Sequence, residues 1–416
     1  MIYVRSKEGK ALMPTGRGGR IGYLLRHGKA HVISRVPFIV QMDYESTTYT
    51  QEVSLGIDAG SKHIGVSATS TKKELFAAQV ELRSDVTKLL SDRRQLRRTR
   101  RYRKTRYRKP RFDNRKRKKG RLAPSVGQRV ESHLKEVIRL VHGLLPITKT
   151  TIEVAQFDTH KIKNQSIMGD EYQQGEQMGF WNVREYVLAR DGHRCVHCNG
   201  RSKDPILNVH HLESRKTGGN SPSNLITLCE TCHKAYHRGE FDLKIKRSTT
   251  LRDAAVMNIM RWAVYERAMS EFENVHLTYG YVTKHTRIEN GIEKMHAADA
   301  YCIAKNVHAK RLETYFMCRC VPRHTRAMHV CNPKKGGIRR ACIASHKIGN
   351  SRFQRFDMVR WKGRECFIFG STGGRPVLRN VNGLKVHDNQ SVNIKTIMFL
   401  KRLRNNMLME ERTSES

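Results

Sequence analysis

Four of the ten cysteines fall in two Cys-x-x-Cys pairs, Cys195/Cys198 and Cys229/Cys232, thirty residues apart. Two such knuckles supply the four thiolates of a tetrahedral structural zinc; the alternative is a pair of reduced, metal-free knuckles. Between and just after them lie His210-His211, Asn224, His233 and His237. A zinc closed by four sulfurs has no use for these imidazoles, so they are available to a second, catalytic ion. A neutral imidazole near pH 7 can take a proton from water.

A second set of candidate groups is acidic. Asp58 ends the alternating run Val53–Gly60, beside glycine, where a carboxylate can meet a metal or phosphate without crowding. Glu153 is the one acid in the apolar run 150–155, a costly position unless it is paired or metal-bound. A satisfied structural glutamate is the other reading of it. Asp299 lies one helical turn from His296, on the same face. Magnesium takes carboxylate oxygens and retained waters, and two ions need a shared aspartate.

These groups need elements to hold them. Residues 53–60 and 64–68 read as a hairpin. Leu134, Val137, Ile138, Val141, Leu144 and Leu145 keep a helical spacing over 131–145, and 150–155 follows as a buried strand. Residues 251–275 and 296–304 read as helices, with 275–283 β-prone between them. Ahead of all this, 32–42 is β-prone but interrupted by Pro37. Gly16, Gly18, Gly19 and Gly22 among Arg17, Arg20 and Arg26 read either as a close approach to phosphate or as a flexible loop. Residues 310–416 turn β-rich, with a hairpin around Lys362-Gly363, a further pair within 377–386, and a polar, frayed end at 409–416. A small barrel-like module is expected there. Cys318, Cys320, Cys331 and Cys342 lie near His324 and His329, but Cys-x-Cys is a poor zinc knuckle, and loop cysteines are the expectation.

The chain of 416 residues carries a formal charge of +41, which calls for a polyanionic partner. Lys and Arg fill 18 of the 29 positions in 93–121, where Asp113 is the only acid. Arg93, Arg94, Arg97, Arg98, Arg100, Arg101, Arg103, Arg106 and Arg108 would repel one another in a lone helix, giving a frayed coil, and would order against a phosphate backbone. Tyr102 and Tyr107 add stacking faces. No apolar window is long enough to span a membrane, and residues 1–10 lack the apolar stretch of a secretory signal. With reduced cysteines, this leads us to expect no membrane partner and a cytoplasmic location.

The order His210-His211, Asn224, His233 resembles the HNH nuclease motif, whose fold is ββα-metal. That resemblance implies His211 as general base, His210 and His233 as ligands of one divalent cation (Mg2+ or Mn2+), and Asn224 as the residue orienting the loop that carries His211. Gly56-Ile57-Asp58-Ala59-Gly60, then Glu153, then Asp299 resembles the three motifs of a RuvC, RNase H-like nuclease, with the acids holding Mg2+ and His296 joining the metals or the attacking water. A RuvC core interrupted by an arginine-rich segment and an HNH insert resembles IscB, a transposon-encoded RNA-guided nuclease. Ala11-Leu12-Met13-Pro14 is close to the Pro-Leu-Met-Pro of that family's leading domain.

The implied fold class is α+β multidomain, with a RuvC core split by a bridge helix and a ββα-metal HNH domain. The implied division is 1–52 as leading module, 53–82, 122–165 and 251–309 as RuvC segments, 83–121 as bridge helix, 166–250 as HNH domain, and 310–416 as a β-rich module that reads a motif beside the target. The implied function is RNA-guided DNA cleavage by a protein that is a monomer within a ribonucleoprotein. A long omega RNA would pair with double-stranded target DNA, HNH would cut the target strand and RuvC the displaced strand. Two rivals stand beside it: a guide-independent HNH endonuclease of restriction or homing type, and a non-catalytic RNA-binding protein.

Overall fold

The computed structural model describes residues 1–102, 122–154, 182–213, 222–243, 252–322, 348, 351–387, 391–403 and 405–413, without the side chains of 100, 101 and 252–255. The chain divides into two compact units, Met1–Ala155 with Met257–Ser416, and Gln156–Val256.

The first unit opens with β1 (Tyr3–Arg5), α1 (Gly18–Arg26), β2 (Ala30–Ser34) and β3 (Ile39–Met42), forming a sheet of order β1-β3-β2. Pro37 lies between β2 and β3, outside both ladders. The flexible-loop reading of the Gly/Arg stretch is corrected from Gly18 onward. Ile21 and Leu24 pack on Ala30 and Val40, and this burial offsets the roughly 1 kcal/mol that each helical glycine costs.

Three strands then run as two antiparallel hairpins, β4 (Ser54–Ala59), β5 (His63–Thr69) and β6 (Glu74–Glu81). The hairpin expected over 53–68 is present. Next comes α2 (Val86–Tyr102). It corrects the frayed-coil expectation as far as Tyr102: its first turns, Val86 to Leu90, contain no arginine and nucleate the helix ahead of the charged run. The helical run α3 starts at Pro124, earlier than expected, and comprises Pro124–Glu131, a π-helical stretch Ser132–Ile138, and Arg139–His142. Leu134, Val137, Ile138 and Val141 are buried, as their spacing requires. β7 (Lys149–Val154) pairs parallel to β4.

The second unit contains α4 (Val183–Arg190), β8 (Leu207–His211), β9 (Leu225–Cys229) and α5 (Glu230–His237). β8 and β9 are antiparallel, and α5 follows β9 directly, giving a ββα order. Asn182 caps α4 by accepting the Glu185 N–H at 3.0 Å.

The chain returns to the first unit through α6 (Arg252–Glu271), β10 (Val275–Tyr279), α7 (Gly280–Glu289) and α8 (His296–Ile303). The β-prone stretch 275–283 is corrected: the strand stops at Tyr279, because Gly280 onward turns into α7. β11 (Thr314–Cys320) pairs parallel to β6, and with β16 (Met407–Thr413) at its far edge a seven-stranded sheet results, of order β10-β7-β4-β5-β6-β11-β16. Gly65 faces α8, so its neighbour Val66 faces the other way. There Val66, Ala78, Val137, Val141 and Cys318 line a narrow cleft beneath α3.

β12 (Met358–Trp361), β13 (Arg364–Thr372), β14 (Arg375–Arg379) and β15 (Ile397–Lys401) form a four-stranded antiparallel sheet. Lys362 (φ 46°) and Gly363 (φ 78°) make the tight turn between β12 and β13. Among the described residues this sheet is open, which corrects the barrel-like expectation, and 381–386 adds only a bridge from Lys385 to Arg379. The end of the chain is corrected too. Met407, Leu408 and Met409 are buried in β16 (Met407–Thr413), which completes the edge beyond β11. Cys318 and Cys320 are buried strand residues rather than loop cysteines, while Cys331, Cys342, His324 and His329 lie outside the described residues. No described helix is long and apolar enough to cross a membrane.

Candidate active site

In the first unit the three acids come from β4, β7 and α8. Parallel pairing of β4 with β7 sets Ile57 opposite Ile152, so Asp58 and Glu153 follow at the same end of adjacent strands. α8 reaches that end because glycine opens the sheet beneath it. A Cβ on Gly65 would meet the His296 carbonyl oxygen at 1.8 Å, and one on Gly56 would meet that of Ala300 at 2.0 Å. His296 Nδ1 then lies 2.7 Å from Asp58 Oδ2.

Cations hold the acids. Arg261 of α6 donates from Nη1 to Glu153 Oε1 at 2.7 Å, from Nη2 to Asp58 Oδ1 at 3.4 Å, and from Nε to the Ala59 carbonyl at 2.9 Å. Arg287 Nε lies 3.1 Å from Asp299 Oδ1. His63 stacks on His296 with ring centroids 5.4 Å apart. Burial raises the Glu153 pKa, against the pull of Arg261; burial and the nearby Asp58 raise that of Asp299. The hydrogen bond to Asp58 raises that of His296, and full burial pushes His133 down to about 4. Two buried carboxylates, Asp58 and Glu153, thus share one guanidinium, and Asp299 with its own guanidinium lies near enough to feel the Asp58 charge, although the three acids are not among the sets whose ligand atoms all lie within 4.8 Å of one another. Carboxylate oxygens are hard donors, the ligand type that hard divalent cations prefer.

Sequence reasoning singled out Asp58, Glu153, Asp299 and His296; the structure links Glu153, Asp58 and His296 through these contacts, and places Asp299 near enough for Asp58 and His296 to act on its charge. It missed Arg261 and Arg287. Arg261 had a faint signal: it is the one cation of the buried helical stretch that includes Met260 and Val264.

In the second unit the sets whose ligand atoms all lie within 4.8 Å of one another are Cys195/Cys198/Cys229/Cys232 and His210/His233/His237. The Cys198 and Cys229 sulfurs are 3.8 Å apart. That is close to the edge of a tetrahedron with Zn–S bonds of about 2.3 Å. The four thiols therefore fit a zinc ion. Ser202 Oγ, 3.3 Å from the Cys198 sulfur, lowers that thiol to about 6, while burial raises Cys195 and Cys232.

The histidine set is larger than the sequence pattern gave, because α5 presents His237 one turn after His233, with their Nε2 atoms 3.3 Å apart. His210 Nε2 is buried without a hydrogen-bond partner among the described residues. Burial, then His233, His237 and His211, push the His210 pKa down to about 4, so its ring is neutral at pH 7. Burial also lowers His233. An orphaned, neutral imidazole nitrogen facing two others fits a divalent ion. His211, next to His210 on β8, points to the opposite side of the strand. Asn224 is fully buried and holds the backbone of Glu213, two residues past His211: Oδ1 accepts the Glu213 N–H at 2.8 Å and Nδ2 donates to its carbonyl at 3.0 Å.

Arg93, Arg94, Arg97 and Arg98 are exposed on α2. The side chains of Arg100 and Arg101, and all of Arg103, Arg106 and Arg108, lie outside the described residues.

Sequence models of two families match the chain: RRXRR protein over residues 2–175, and HNH endonuclease over residues 195–239. A stretch of 67 residues is 44% identical to Anaredoxin of Nostoc sp. (strain PCC 7120 / SAG 25.82 / UTEX 2576), taking in 16% of this chain and 84% of that protein. Among solved structures, Streptococcus thermophilus Cas9 in complex with the AGAA PAM matches at 15% identity and a TM-score of 0.31, over 45% of this chain and 26% of that one. The same protein with the GGAA PAM matches at 14% and 0.33, over 58% and 32%. The chain thus spans about a third or less of those Cas9 chains.

The match over 195–239 falls on the ββα unit and the clusters that could hold metal ions, which defines an HNH endonuclease domain, a DNA nuclease hydrolase by class. With the RRXRR match over residues 2–175 ahead of that domain, the chain is similar to an IscB-type HNH nuclease.

Proposed function

We propose that this chain is an RNA-guided DNA endonuclease with two hydrolytic centres, one of imidazoles and one of carboxylates. The observation that carries the reading is that Asp58 and Glu153, drawn from distant parts of the chain, share Arg261, with His296 on Asp58 and Asp299 close enough to feel the Asp58 charge. An HNH enzyme acting alone needs no such second set. The strand order β6-β5-β4-β7-β10, with β5 antiparallel to its neighbours, supports a RuvC-type core. A formal charge of +41 suits a large RNA, and α2 with its exposed arginines suits a bridge helix gripping guide RNA and the guide–target duplex.

In the HNH domain His210, His233 and His237 would hold the divalent cation. His211 takes the proton of the attacking water, and Asn224 fixes the end of the strand carrying it. Cys195, Cys198, Cys229 and Cys232 would hold zinc, tying the segment ahead of β8 to the junction of β9 and α5. In the carboxylate centre Asp58, Glu153 and Asp299 would hold Mg2+ or Mn2+, with His296 oriented by Asp58. The chemistry a cation supplies at either centre is stabilisation of charge on the scissile phosphate and the leaving oxygen. HNH cuts the strand paired with an omega-type guide RNA, and the carboxylate centre cuts the displaced strand. Residues 310–416 read the motif beside the target.

The test purifies the chain with its bound RNA and supplies a plasmid matched to that RNA. A discrete long RNA and double-strand cleavage at the paired site are expected. His211→Ala should nick only the displaced strand and Asp58→Ala only the paired strand. Equal cleavage after RNase treatment would instead favour a guide-independent HNH endonuclease. Loss of both cuts in either variant, with binding retained, would refute two separate centres.

A further inference from the structure

Arg261 is 7% exposed, and its guanidinium faces the acidic centre. Its Nε bond to the Ala59 carbonyl anchors the fork to the strand that delivers Asp58. The two remaining arms take Glu153 Oε1 and Asp58 Oδ1, one oxygen from each acid, while His296 takes Asp58 Oδ2. A buried guanidinium and two buried carboxylates are each unfavourable alone, and removing either side leaves uncompensated charge. The arginine is therefore built into the centre rather than resting beside it. A hard cation shared by Asp58 and Glu153 needs oxygens that this guanidinium now holds.

We propose that Arg261 is a resident counter-ion that competes with a divalent cation for Asp58 and Glu153, keeping the two carboxylates in register and setting how tightly that cation binds. The proposal rests on the reading of Asp58, Glu153 and Asp299 as a cation site. Arg261 acts through the acids and is a positioning residue. Like charge explains the direction of the effect: each positive group at the pair weakens the field that draws the next one. Half-occupancy then needs a higher free cation concentration than for acids left bare, and the acids stay placed when that concentration is low.

The experiment titrates Mn2+ into the full chain carrying His210→Ala and His233→Ala, with free Mn2+ read by electron paramagnetic resonance and stability by melting with and without the ion. In that background Arg261→Met should tighten Mn2+ binding on the order of tenfold or more, the scale on which a neighbouring opposite charge shifts a carboxylate's affinity for a proton. It should also melt lower without Mn2+ and gain more on its addition. Arg261→Lys, which keeps the charge but cannot span both acids, guards against a Met variant that fails to fold; it should shift binding the same way by less. Asp58→Asn separates the two claims. If it abolishes this Mn2+ site while the folded Arg261→Lys variant binds with unchanged or weaker affinity, the counter-ion proposal is overturned and the cation site stands. If Mn2+ binding is untouched by Asp58→Asn, the cation-site reading falls and the proposal with it.

Discussion

The side-chain amide of Asn224 grips the backbone of Glu213 at both ends, and the Asn224 carbonyl also accepts the Leu212 N–H at 2.9 Å. Three hydrogen bonds thus tie the exit of β8, just past His211, to the entry of β9. Asn224→Ala would remove the partners of two backbone groups, at roughly 1–3 kcal/mol for each one left buried. Cleavage of the guide-paired strand should fall about a hundredfold through misplacement of His211. Zinc content, measured by elemental analysis, should stay unchanged. A normal nicking rate would show that the clamp does not position the base.

Cys195 is 2% exposed and packs with Ile226, Leu228 and Cys229 in the small core of the second unit. Zinc held by the four cysteines would supply most of the stability of so small a core, since apparent zinc-binding energy in such units is about 10 kcal/mol or more. Cys195→Ser should lose zinc and melt the ββα unit, while the seven-stranded sheet keeps its transition. Calorimetry on the full chain, with and without a chelator, would resolve the two. Unimpaired guide-paired-strand cleavage in zinc-free refolded protein would contradict a structural zinc.

What could be read in the sequence was chemistry carried by short spacings. Cys-x-x-Cys, His210-His211 and the alternation that ends at Asp58 are local patterns with few competing explanations. Arg261 escaped because its partners, Asp58 and Glu153, are 203 and 108 residues away, and no period links them. β16 escaped for a similar reason: Glu410, Glu411 and Arg412 make 407–413 look like a tail, until β11 offers an edge that the sequence does not advertise. The Gly18–Arg26 helix was masked by its glycines, whose cost is local, whereas the burial of Ile21 and Leu24 that offsets it is tertiary.

Gly65 sits where α8 crosses β5, with no room for a methyl group against the His296 carbonyl. Gly65→Ala should push the start of α8 off the sheet and separate His296 from Asp58. Cleavage of the displaced strand should fall about a hundredfold or more, with paired-strand cleavage retained. Gly127, with open space around its would-be Cβ and a place inside α3, is the control. Gly127→Ala should be neutral or stabilising by up to about 1 kcal/mol. Both activities can be scored on one end-labelled duplex, and equal behaviour of the two variants would show that the close approach at Gly65 does not set the carboxylate centre.

Glu74 is 1% exposed at the start of β6, accepting the Ser67 hydroxyl at 2.5 Å and the Leu312 N–H at 3.0 Å. Burial raises its pKa, and those two bonds with Arg311 only partly oppose the rise. A carboxyl whose folded pKa exceeds its unfolded one binds its proton more tightly when folded. Its contribution is then complete below the unfolded pKa and is lost as the pH climbs through the folded pKa. Above that point the sheet carries a buried charge. Glu74→Gln keeps the shape, an acceptor for Leu312 and a polar group for Ser67, and removes the charge. The variant should melt higher than the parent at pH 8, by about 1.4 kcal/mol for each unit of the shift, and the gap should narrow toward pH 4. Thermal melts of the sheet across that range check the sign: a variant less stable than the parent at pH 8 would mean that the charged form is the one the fold prefers.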